Sequence, residues 1–336
     1  MYKYKIGIIV TWFGKFPSYF PAWLASAKKN PDIDFLLFCD QEFESCASNI
    51  NVYHITLNES IKSFEKKMGR KIKIKDGYKF CDCRAFFGIL YENYLKKYDF
   101  WGYCDIDLVF GNIRNFLTDE LLEKYDRFYS YGHLSVFRNT EYVNHLYRLP
   151  GSIYSMYEIF EGKAKTTFEE YYGLNRICQK NHIAWYVKTD FADFATAYPN
   201  RMELNHKLKN YKNQIFVWHD GRAYRIYKDS EGLKEEDFLY MHWQKKQPKI
   251  EGNITDQSYL VLTGTKIIVT EHKEHFEHPR FDEWNPGLSD QERKFYRKKS
   301  RKEKYKKFLR ADFATKRIWI RQQLFEKLDK RNRIYS

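Results

Sequence analysis

The sequence predicts an α/β fold, in which a mixed sheet is flanked by helices and followed by a basic helical extension. Three observations support this prediction. Short apolar runs alternate with helical patterns in the first third of the chain, the middle has antiparallel character, and basic residues crowd the C-terminal end. With 336 residues, 43% of them hydrophobic, the chain can bury a large core, so a wholly disordered protein is excluded.

The first third of the chain has the strand and helix order of a parallel sheet. We expect strands at 6–10, 35–39, 51–57 and 100–104, a loop at 11–14, and helices at 17–30 and 80–95. Ligands of open parallel sheets bind outside the carboxyl ends of the strands. Trp12, Asp40 and Asp105 each follow or end such a strand, so we expect them at one edge of the sheet.

After residue 108 the pattern predicts a mixture of strands and helices. Further strands are expected at 128–137 and 263–270. Between Ile215 and Tyr227, the dipeptide Asp220-Gly221 is typical of a two-residue β-hairpin turn. The sheet is therefore predicted to combine parallel and antiparallel strands.

The positive charge of the chain is concentrated near its C-terminus. The formal net charge is +14 at pH 7, and residues 289–336 carry 18 basic and 6 acidic residues, a net charge of +12. Ser289 and Glu292 have the spacing of a capping box, which predicts that a long basic helix begins here. We therefore expect a core domain at 1–288 and a basic amphipathic helical tail at 289–336.

The tail interleaves apolar with basic residues, among them Ile318, Trp319, Leu324 and Phe325. A basic amphipathic helix of this kind is typical of segments that lie on an anionic membrane surface. Two alternatives stay open: the helix packs its apolar stripe on the core, or the protein is a non-catalytic binder of polyanions or nucleic acid. No recognised nucleic-acid-binding module surrounds the tail, which disfavours nucleic acid.

The cysteine content and hydropathy of the chain indicate where it works. Six cysteines in a chain of this length do not resemble a disulfide framework, which favours a reducing compartment. No apolar run approaches the roughly 18 residues that span a bilayer. We expect a cytoplasmic protein, either soluble or peripheral on the inner face of the plasma membrane.

Two carboxylates follow the strand predicted at 100–104. In the segment Asp105-Ile106-Asp107, residues i and i+2 of an extended backbone project to the same face, so both carboxylates can converge on one point. Two hard oxygen ligands suit Mg²⁺ or Mn²⁺. The alternative for so short a motif is a pair of solvated carboxylates at the end of a strand.

The segment around these carboxylates resembles the metal-binding segment of GT-A-type nucleotide-sugar glycosyltransferases. Four segments together resemble a poorly characterised bacterial family of this fold that is found in surface-polysaccharide gene clusters: residues 78–84, 98–111, 132–139 and 240–246. The resemblance covers roughly residues 4–250. It implies a GT-A-like, Rossmann-like catalytic domain that transfers a sugar from a nucleotide donor, with UDP the expected nucleotide. The implied acceptor is a growing glycan such as capsule or lipopolysaccharide, with a polyprenyl-linked acceptor as one option.

Glycosyl transfer requires that the departing diphosphate be neutralised, which a divalent cation and basic groups do electrostatically. The resemblance assigns Asp105 and Asp107 to the ion, with Asp105 also facing the ribose, and His242 to the completion of the metal shell. Lys245 or Lys246 would contact phosphate oxygens as point charges. A structural role is the alternative for His242.

The resemblance also implies a set of nucleotide-binding residues. They are Thr11, Trp12 and Phe13 after the first strand, Asp40 after the second, and Lys79, Asp82 and Arg84 before the metal motif. The alternative for Asp82 is a carboxylate favoured by the dipole at a helix start, with Arg84 on a solvated face. Trp12 can equally belong to the core.

An inverting transfer needs a carboxylate that deprotonates the acceptor hydroxyl. Glu169 and Glu170 are the expected candidates. Relatives tend to carry Asp-Glu-Trp here, so Glu169 stands where Asp is usual and Tyr171 where Trp is usual. The alternative is a pair of ordinary surface glutamates near the start of a helix.

Overall fold

The structure is a computed structural model that describes residues 2–45 and 47–328. Residues 329–336 of the expected tail lie outside the described residues. Within the described part the strands are β1 (Ile6–Trp12), β2 (Ile33–Cys39), β3 (Ile50–His54), β4 (Phe100–Cys104), β5 (Leu108–Phe110), β6 (Arg127–Tyr131), β7 (Leu134–Arg138), β8 (Trp185–Tyr186), β9 (Ala192–Asp193), β10 (Gln214–His219), β11 (Arg222–Asp229), β12 (Gly232–Phe238), β13 (Tyr240–His242), β14 (Lys249–Glu251), β15 (Tyr259–Leu262) and β16 (Lys266–Thr270).

The described helices differ widely in length. They are α1 (Phe20–Lys28), α2 (Leu57–Met68), α3 (Gly77–Phe80), α4 (Phe87–Leu90), α5 (Glu92–Leu95), α6 (Asp119–Lys124), α7 (Glu141–Asn144), α8 (Met156–Phe160), α9 (Leu174–Lys180), α10 (Glu274–Glu277), α11 (Phe281–Trp284), α12 (Asp290–Arg310) and α13 (Phe313–Leu328), with short 3₁₀ turns at Cys81–Phe86, Ile113–Asn115 and Leu146–Arg148. Among the described helices, none is long and apolar enough to cross a membrane.

The strands form three sheets. The largest has the order β3-β2-β1-β4-β7-β6-β8, in which β1 to β4 are parallel and β7 runs antiparallel to both β4 and β6. A six-stranded sheet has the order β12-β11-β10-β15-β16-β14, and β5, β13 and β9 form a small third sheet. Helices flank these sheets, so the prediction of a mixed α/β sheet is confirmed.

The first strands agree with the sequence pattern apart from their ends. The strand predicted at 100–104 is confirmed as β4, in which all five residues are buried. β1 continues through Thr11 and Trp12, so these residues belong to the strand and not to a loop. The prediction of a strand at 51–57 is too long, because β3 ends at His54 and Thr56 caps α2 in a capping box with Glu59.

Two predicted elements differ from those in the structure. The helix expected at 80–95 is broken into α3, a 3₁₀ turn, α4 and α5, since residues 82–88 are buried without interruption and no single face of a helix can do that. The strand expected at 128–137 is the hairpin of β6 and β7. Its register shifts between Phe128 and Tyr131, and Tyr129 has a φ of 63°.

The tail also departs from its prediction. The capping box of Ser289 and Glu292 is confirmed, but the expected single helix is two, α12 and α13, separated at Ala311 and Asp312. The Asp312 side chain accepts a hydrogen bond from the backbone N–H of Thr315 at 2.9 Å, which starts α13 anew.

One face of α13 packs on the core. Ile318 is 4% exposed within the main hydrophobic cluster, and Gln322 donates a hydrogen bond to the Tyr154 hydroxyl at 2.6 Å. Arg321 pairs with Glu158 at 2.9 Å. The core-packing alternative therefore holds for this face of the tail.

Candidate active site

The carboxyl ends of β1, β2 and β4 meet at one edge of the large sheet. The parallel register of β1 and β4, continued by two residues, brings Thr11 level with Asp105. Trp12 ends β1 beside the last residue of β2, and Asp40 follows directly. Asp40 accepts a hydrogen bond from the backbone N–H of Gly14 at 2.8 Å. Trp12, Asp40 and Asp105 thus lie at the expected edge.

Asp105, Asp107 and His242 come together at this edge. β5 and β13 are antiparallel and pair Leu108 with His242, which brings the imidazole beside the two carboxylates. One ligand atom from each of the three residues lies within 4.8 Å of the others, and His242 Nε2 is 3.4 Å from Asp107 Oδ1. This group can hold a metal ion.

Asp193 lies behind His242 and orients it. Its Oδ1 is 2.8 Å from His242 Nδ1, and its Oδ2 is 2.7 Å from His206 Nε2. Asn205 and Gln244 also donate hydrogen bonds to this carboxylate, at 2.9 and 2.6 Å. A carboxylate on the far nitrogen of a histidine is the usual support of a metal-binding imidazole, because it fixes the ring and leaves the other nitrogen toward the ion.

The charges of this cluster are strongly coupled. Burial opposes a charge on His242, but Asp107 and Asp193 outweigh it and raise the pKa of His242 to about 10. Burial raises the pKa of Asp107. Burial would raise the pKa of Asp105 too, but Arg84 outweighs it and holds that pKa below its usual value. Binding of an ion therefore requires that His242 release a proton.

Arg84 and Gly132 connect this edge to the predicted pair of glutamates. Arg84 donates one hydrogen bond to Asp105 and another to the Gly132 carbonyl at 2.7 Å, while the Gly132 N–H donates to Glu170 Oε1 at 2.7 Å. A Cβ atom at position 132 would lie 2.7 Å from Glu170 Oε1 and 3.3 Å from Glu169 Oε1. The absence of a side chain at Gly132 thus allows both carboxyl groups to approach.

The two glutamates have different surroundings. Glu169 is 2% exposed, its Oε2 has no hydrogen-bond partner among the described residues, and burial raises the pKa of Glu169 to about 8 against the attraction of Lys165. Glu170 is partly exposed, and burial raises its pKa while the Gly132 N–H lowers it. At neutral pH Glu169 is therefore protonated, and Glu170 is the more accessible carboxyl group.

Asp82 and Lys79 do not present free atoms to this edge. Asp82 has no exposed surface and accepts hydrogen bonds from Lys79 Nζ at 2.6 Å and from the backbone N–H groups of Thr166 and Thr167 at 2.8 and 2.9 Å. Lys79 Nζ also donates to the Ala164 carbonyl at 2.7 Å. A buried carboxylate with these partners holds a loop and has no atom left for a nucleotide.

The two lysines after His242 differ in the same way. Lys246 is buried and donates to the carbonyls of Tyr198 and Pro199, and burial lowers the pKa of Lys246 to about 8. Lys245 is exposed and has no acidic partner among the described residues. Of the two, Lys245 is the one whose ammonium group is accessible to a ligand.

Trp12 and Phe13 are only partly exposed. Phe13 packs edge-on against Phe80 with ring centroids 5.6 Å apart. Trp12 donates its indole N–H to the Lys15 carbonyl at 3.2 Å, and its ring packs against one of the hydrophobic clusters. The core interpretation therefore applies to part of each ring.

Strained backbone occurs at the site. Seven described residues other than glycine have positive φ, and three of them border the site: Thr167, His206 and Gln244. His206 and Gln244 both contact Asp193. Such conformations persist only where the surroundings enforce them, and they are typical of functional sites.

Sequence reasoning missed Asp193 and His133. Asp193 ends a strand of two residues, too short for a hydrophobic pattern to register. His133 follows Gly132, and its ring centroid is 4.5 Å from that of His242. Burial lowers the pKa of His133 to about 3, so its ring is neutral. The Gly-His pair within a predicted strand was the available signal for His133, because a glycine there marks a close approach.

A family comparison identifies the chain. A family model described as a family of unknown function, DUF6625, matches residues 8–271, and the chain belongs to that family. The matched range contains Asp105, Asp107, His242 and the two glutamates and ends before the basic tail. No curated protein sequence matches the chain.

Among solved structures, the chain is similar to the galactosyltransferase LgtC in complex with donor and acceptor sugar analogs. The two are 11% identical, the alignment covers 56% of this chain and 75% of that chain, and the TM-score is 0.34. At this TM-score the similarity carries no argument about the activity of this chain.

Proposed function

We propose that the protein is a divalent-metal-dependent glycosyltransferase with a GT-A-like fold, which transfers a sugar from a nucleotide donor, UDP-linked in the first instance, to a growing surface polysaccharide. The observation that carries this proposal is the group of Asp105, Asp107 and His242 at the carboxyl ends of β1 and β4. That edge is where parallel sheets bind nucleotides. The resemblance of the four sequence segments supports the same activity.

The set of ligand atoms fits a divalent cation. Two carboxylates and one imidazole suit Mn²⁺, and Mg²⁺ is the alternative. Because Asp193 occupies His242 Nδ1, Nε2 is left for the ion. Arg84 bonds to Asp105 Oδ1, so Asp105 offers its second oxygen to the ion or to the ribose. An ion held by these residues would supply positive charge to neutralise the departing diphosphate.

The chain's own groups then position the donor and the acceptor. Thr11 and the exposed part of Trp12 would face the base, and Lys245 would hold a phosphate oxygen as a point charge. Glu170 would accept the proton of the acceptor hydroxyl, because it is the partly exposed member of the pair and its Oε1 is already oriented by the Gly132 N–H. Glu169, protonated at pH 7, avoids a second negative charge beside it.

A donor screen tests this function directly. Thermal unfolding is followed with Mn²⁺ and a panel of nucleotide sugars, and the protecting donor is then assayed for release of its nucleoside diphosphate. We expect protection by one UDP-sugar that requires the ion, because binding to the folded state raises stability. Affinity for polyanions that depends on salt and on no metal would instead favour the non-catalytic alternative.

We further propose that the tail holds the enzyme on an anionic membrane, where a polyprenyl-linked acceptor would lie. α13 has a second apolar face that points away from the core: Phe313, Ile320 and Leu324 are 82%, 47% and 54% exposed. Basic residues accompany this face, Arg317 and Lys327 among them. Exposed apolar side chains flanked by cations suit a surface of anionic lipid.

Replacing Phe313 and Leu324 with serine tests membrane binding without disturbing the core. We expect sedimentation with phosphatidylglycerol vesicles to fall by about tenfold or more, because each buried apolar side chain contributes roughly 1.5–3 kcal/mol. The melting temperature and donor binding should stay unchanged. Both substitutions leave the charge of the tail unchanged, so a loss of vesicle binding would report the loss of lipid insertion. Affinity for a soluble polyanion such as heparin should stay the same, because it does not need these side chains. Unchanged vesicle binding would contradict the proposal.

A further inference from the structure

We propose that Asp82 is a positioning residue, which fixes Glu170 at its distance from Asp105 by holding the turn at residues 166–167. This inference rests on the proposed transferase activity, and it gives a buried carboxylate outside the metal cluster a role in that reaction. The starting observation is that Asp82 is fully buried and accepts three of its four hydrogen bonds from one short loop.

The contacts of Asp82 converge on two successive residues. Oδ2 accepts the Thr166 N–H at 2.8 Å and the Thr166 hydroxyl at 2.9 Å, and Oδ1 accepts the Thr167 N–H at 2.9 Å. Lys79 Nζ lies 2.6 Å from Oδ2 and supplies the opposite charge. Hydrogen bonds to a charged acceptor are stronger than neutral ones, so this turn is firmly held.

The turn needs to be held, because its backbone is strained. Thr167 has a φ of 52°, in the left-handed region that β-branched residues rarely adopt. Thr167 is also bonded directly to the second glutamate, because its carbonyl accepts the backbone N–H of Glu170 at 3.0 Å. If the bonds from Asp82 were lost, Thr167 would relax toward negative φ and Glu170 would move.

The same 3₁₀ turn, Cys81–Phe86, also reaches the metal edge. Two residues after Asp82, Arg84 bonds to Asp105 and to the Gly132 carbonyl. Gly132 in turn donates its N–H to Glu170. The chain thus reaches Glu170 from two directions, through Arg84 and Gly132 on one side and through Asp82 and Thr167 on the other. Through these two sets of contacts, the 3₁₀ turn would set the distance between the proposed base, Glu170, and the metal site.

Asp82→Asn, alone and combined with Thr167→Gly, tests the role. The amide keeps the shape of the carboxylate but loses its charge. Its NH₂ group would also face N–H and O–H groups that are themselves donors. We expect kcat for transfer to fall about 100-fold, the scale of a misplacement near 1 Å. KM for the donor and the Mn²⁺-dependent affinity for UDP should change by less than about twofold. Glycine adopts positive φ without strain, so the double variant should regain at least about tenfold of the loss.

Asp76→Asn is the matched control. Asp76 caps α3 by accepting the Lys79 N–H at 2.8 Å, so the change removes a carboxylate from the same stretch without touching the turn. Its kcat should equal that of the unchanged protein. A loss of kcat in the Asp82 variant that Thr167→Gly does not restore, or a loss matched by the Asp76 variant, would overturn the proposal.

A readout without turnover separates this proposal from the proposed function. The ¹³C carboxyl signals of Glu169 and Glu170 should shift in the Asp82 variant and return in the double variant, whether or not any donor is turned over. If the signals behave so and no transfer is found, the transferase activity fails while the positioning holds. If Asp82→Asn does not fold, Thr166→Val removes one of the four hydrogen bonds and should give the same shift on a smaller scale. Signals that stay fixed in the variant that folds would refute the positioning role.

Discussion

Glu170→Gln should lower kcat for sugar transfer by about 10²–10⁴-fold, the range for loss of a general base. The amide keeps the size of the side chain but cannot take a proton from the acceptor. Donor affinity and metal affinity should stay within about twofold, because neither depends on proton removal. Steady-state kinetics with a fixed donor and calorimetry with UDP and Mn²⁺ measure the two effects separately.

Glu169→Gln is the control, and it has its own pH signature. Because burial raises the pKa of Glu169 to about 8, the amide resembles the protonated form present at pH 7, and kcat there should change far less. A carboxyl group with a raised pKa stabilises the folded state below its ordinary pKa and loses that contribution as pH rises through 8. The wild-type protein should therefore lose stability to urea between about pH 5 and pH 8, and the variant should lose less. A larger loss of transfer in the Glu169 variant than in the Glu170 variant would point to Glu169 as the base.

Asp107→Asn should abolish Mn²⁺-dependent affinity for UDP and leave the fold intact. A neutral amide replaces an anionic ligand in the short link between β4 and β5. Burial raises the pKa of Asp107 and so opposes its charge, which offsets the loss of its attraction for His242; the melting temperature without metal should therefore change little. Calorimetry with Mn²⁺ and UDP gives the affinity, and the same titration without metal gives the baseline. Undiminished affinity in the variant would remove Asp107 from the site.

Two neighbouring variants should grade the same effect. Asp193→Asn leaves the ligands in place but loosens His242, and changes to such supporting carboxylates typically cost 10–100-fold in metal affinity. His242→Ala removes a ligand that water can replace, so the loss should be less severe than for Asp107. If His242→Ala unfolds the protein while the folded fraction keeps its affinity, the imidazole is structural.

The sequence was most informative where a single strand carries its own signal. All five residues of β4 are buried, so its apolar run is unbroken and its end places Asp105 and Asp107 at the sheet edge. The turn at Asp220 and Gly221 was equally local, and both residues have the positive φ of a type I′ hairpin. These elements could be predicted because the residues that determine them are adjacent in the sequence.

The rest of the site depends on partners that lie far apart in the chain. Asp193 precedes His242 by 49 residues, and Asp82 meets Thr166 across 84. Hydrophobic periodicity does not reveal such pairs. Their residues lie in segments that are too short, or too evenly buried, to show one apolar and one polar face. The helix expected at 80–95 breaks in the same segment, where Asp82 and Arg84 both make contacts with residues far away in the sequence.

The two faces of α13 have a practical consequence for anyone who prepares this protein. The basic tail is an obvious segment to delete when the protein is prepared. Deleting α13 would expose the apolar surface that Ile318 covers and would remove Arg321, the partner of Glu158. A shortened chain would then display a fresh apolar patch and would tend to aggregate. Polar substitutions at Phe313 and Leu324 offer a better route to concentrated, monodisperse samples. They remove exposed apolar side chains and leave the contacts between α13 and the core intact.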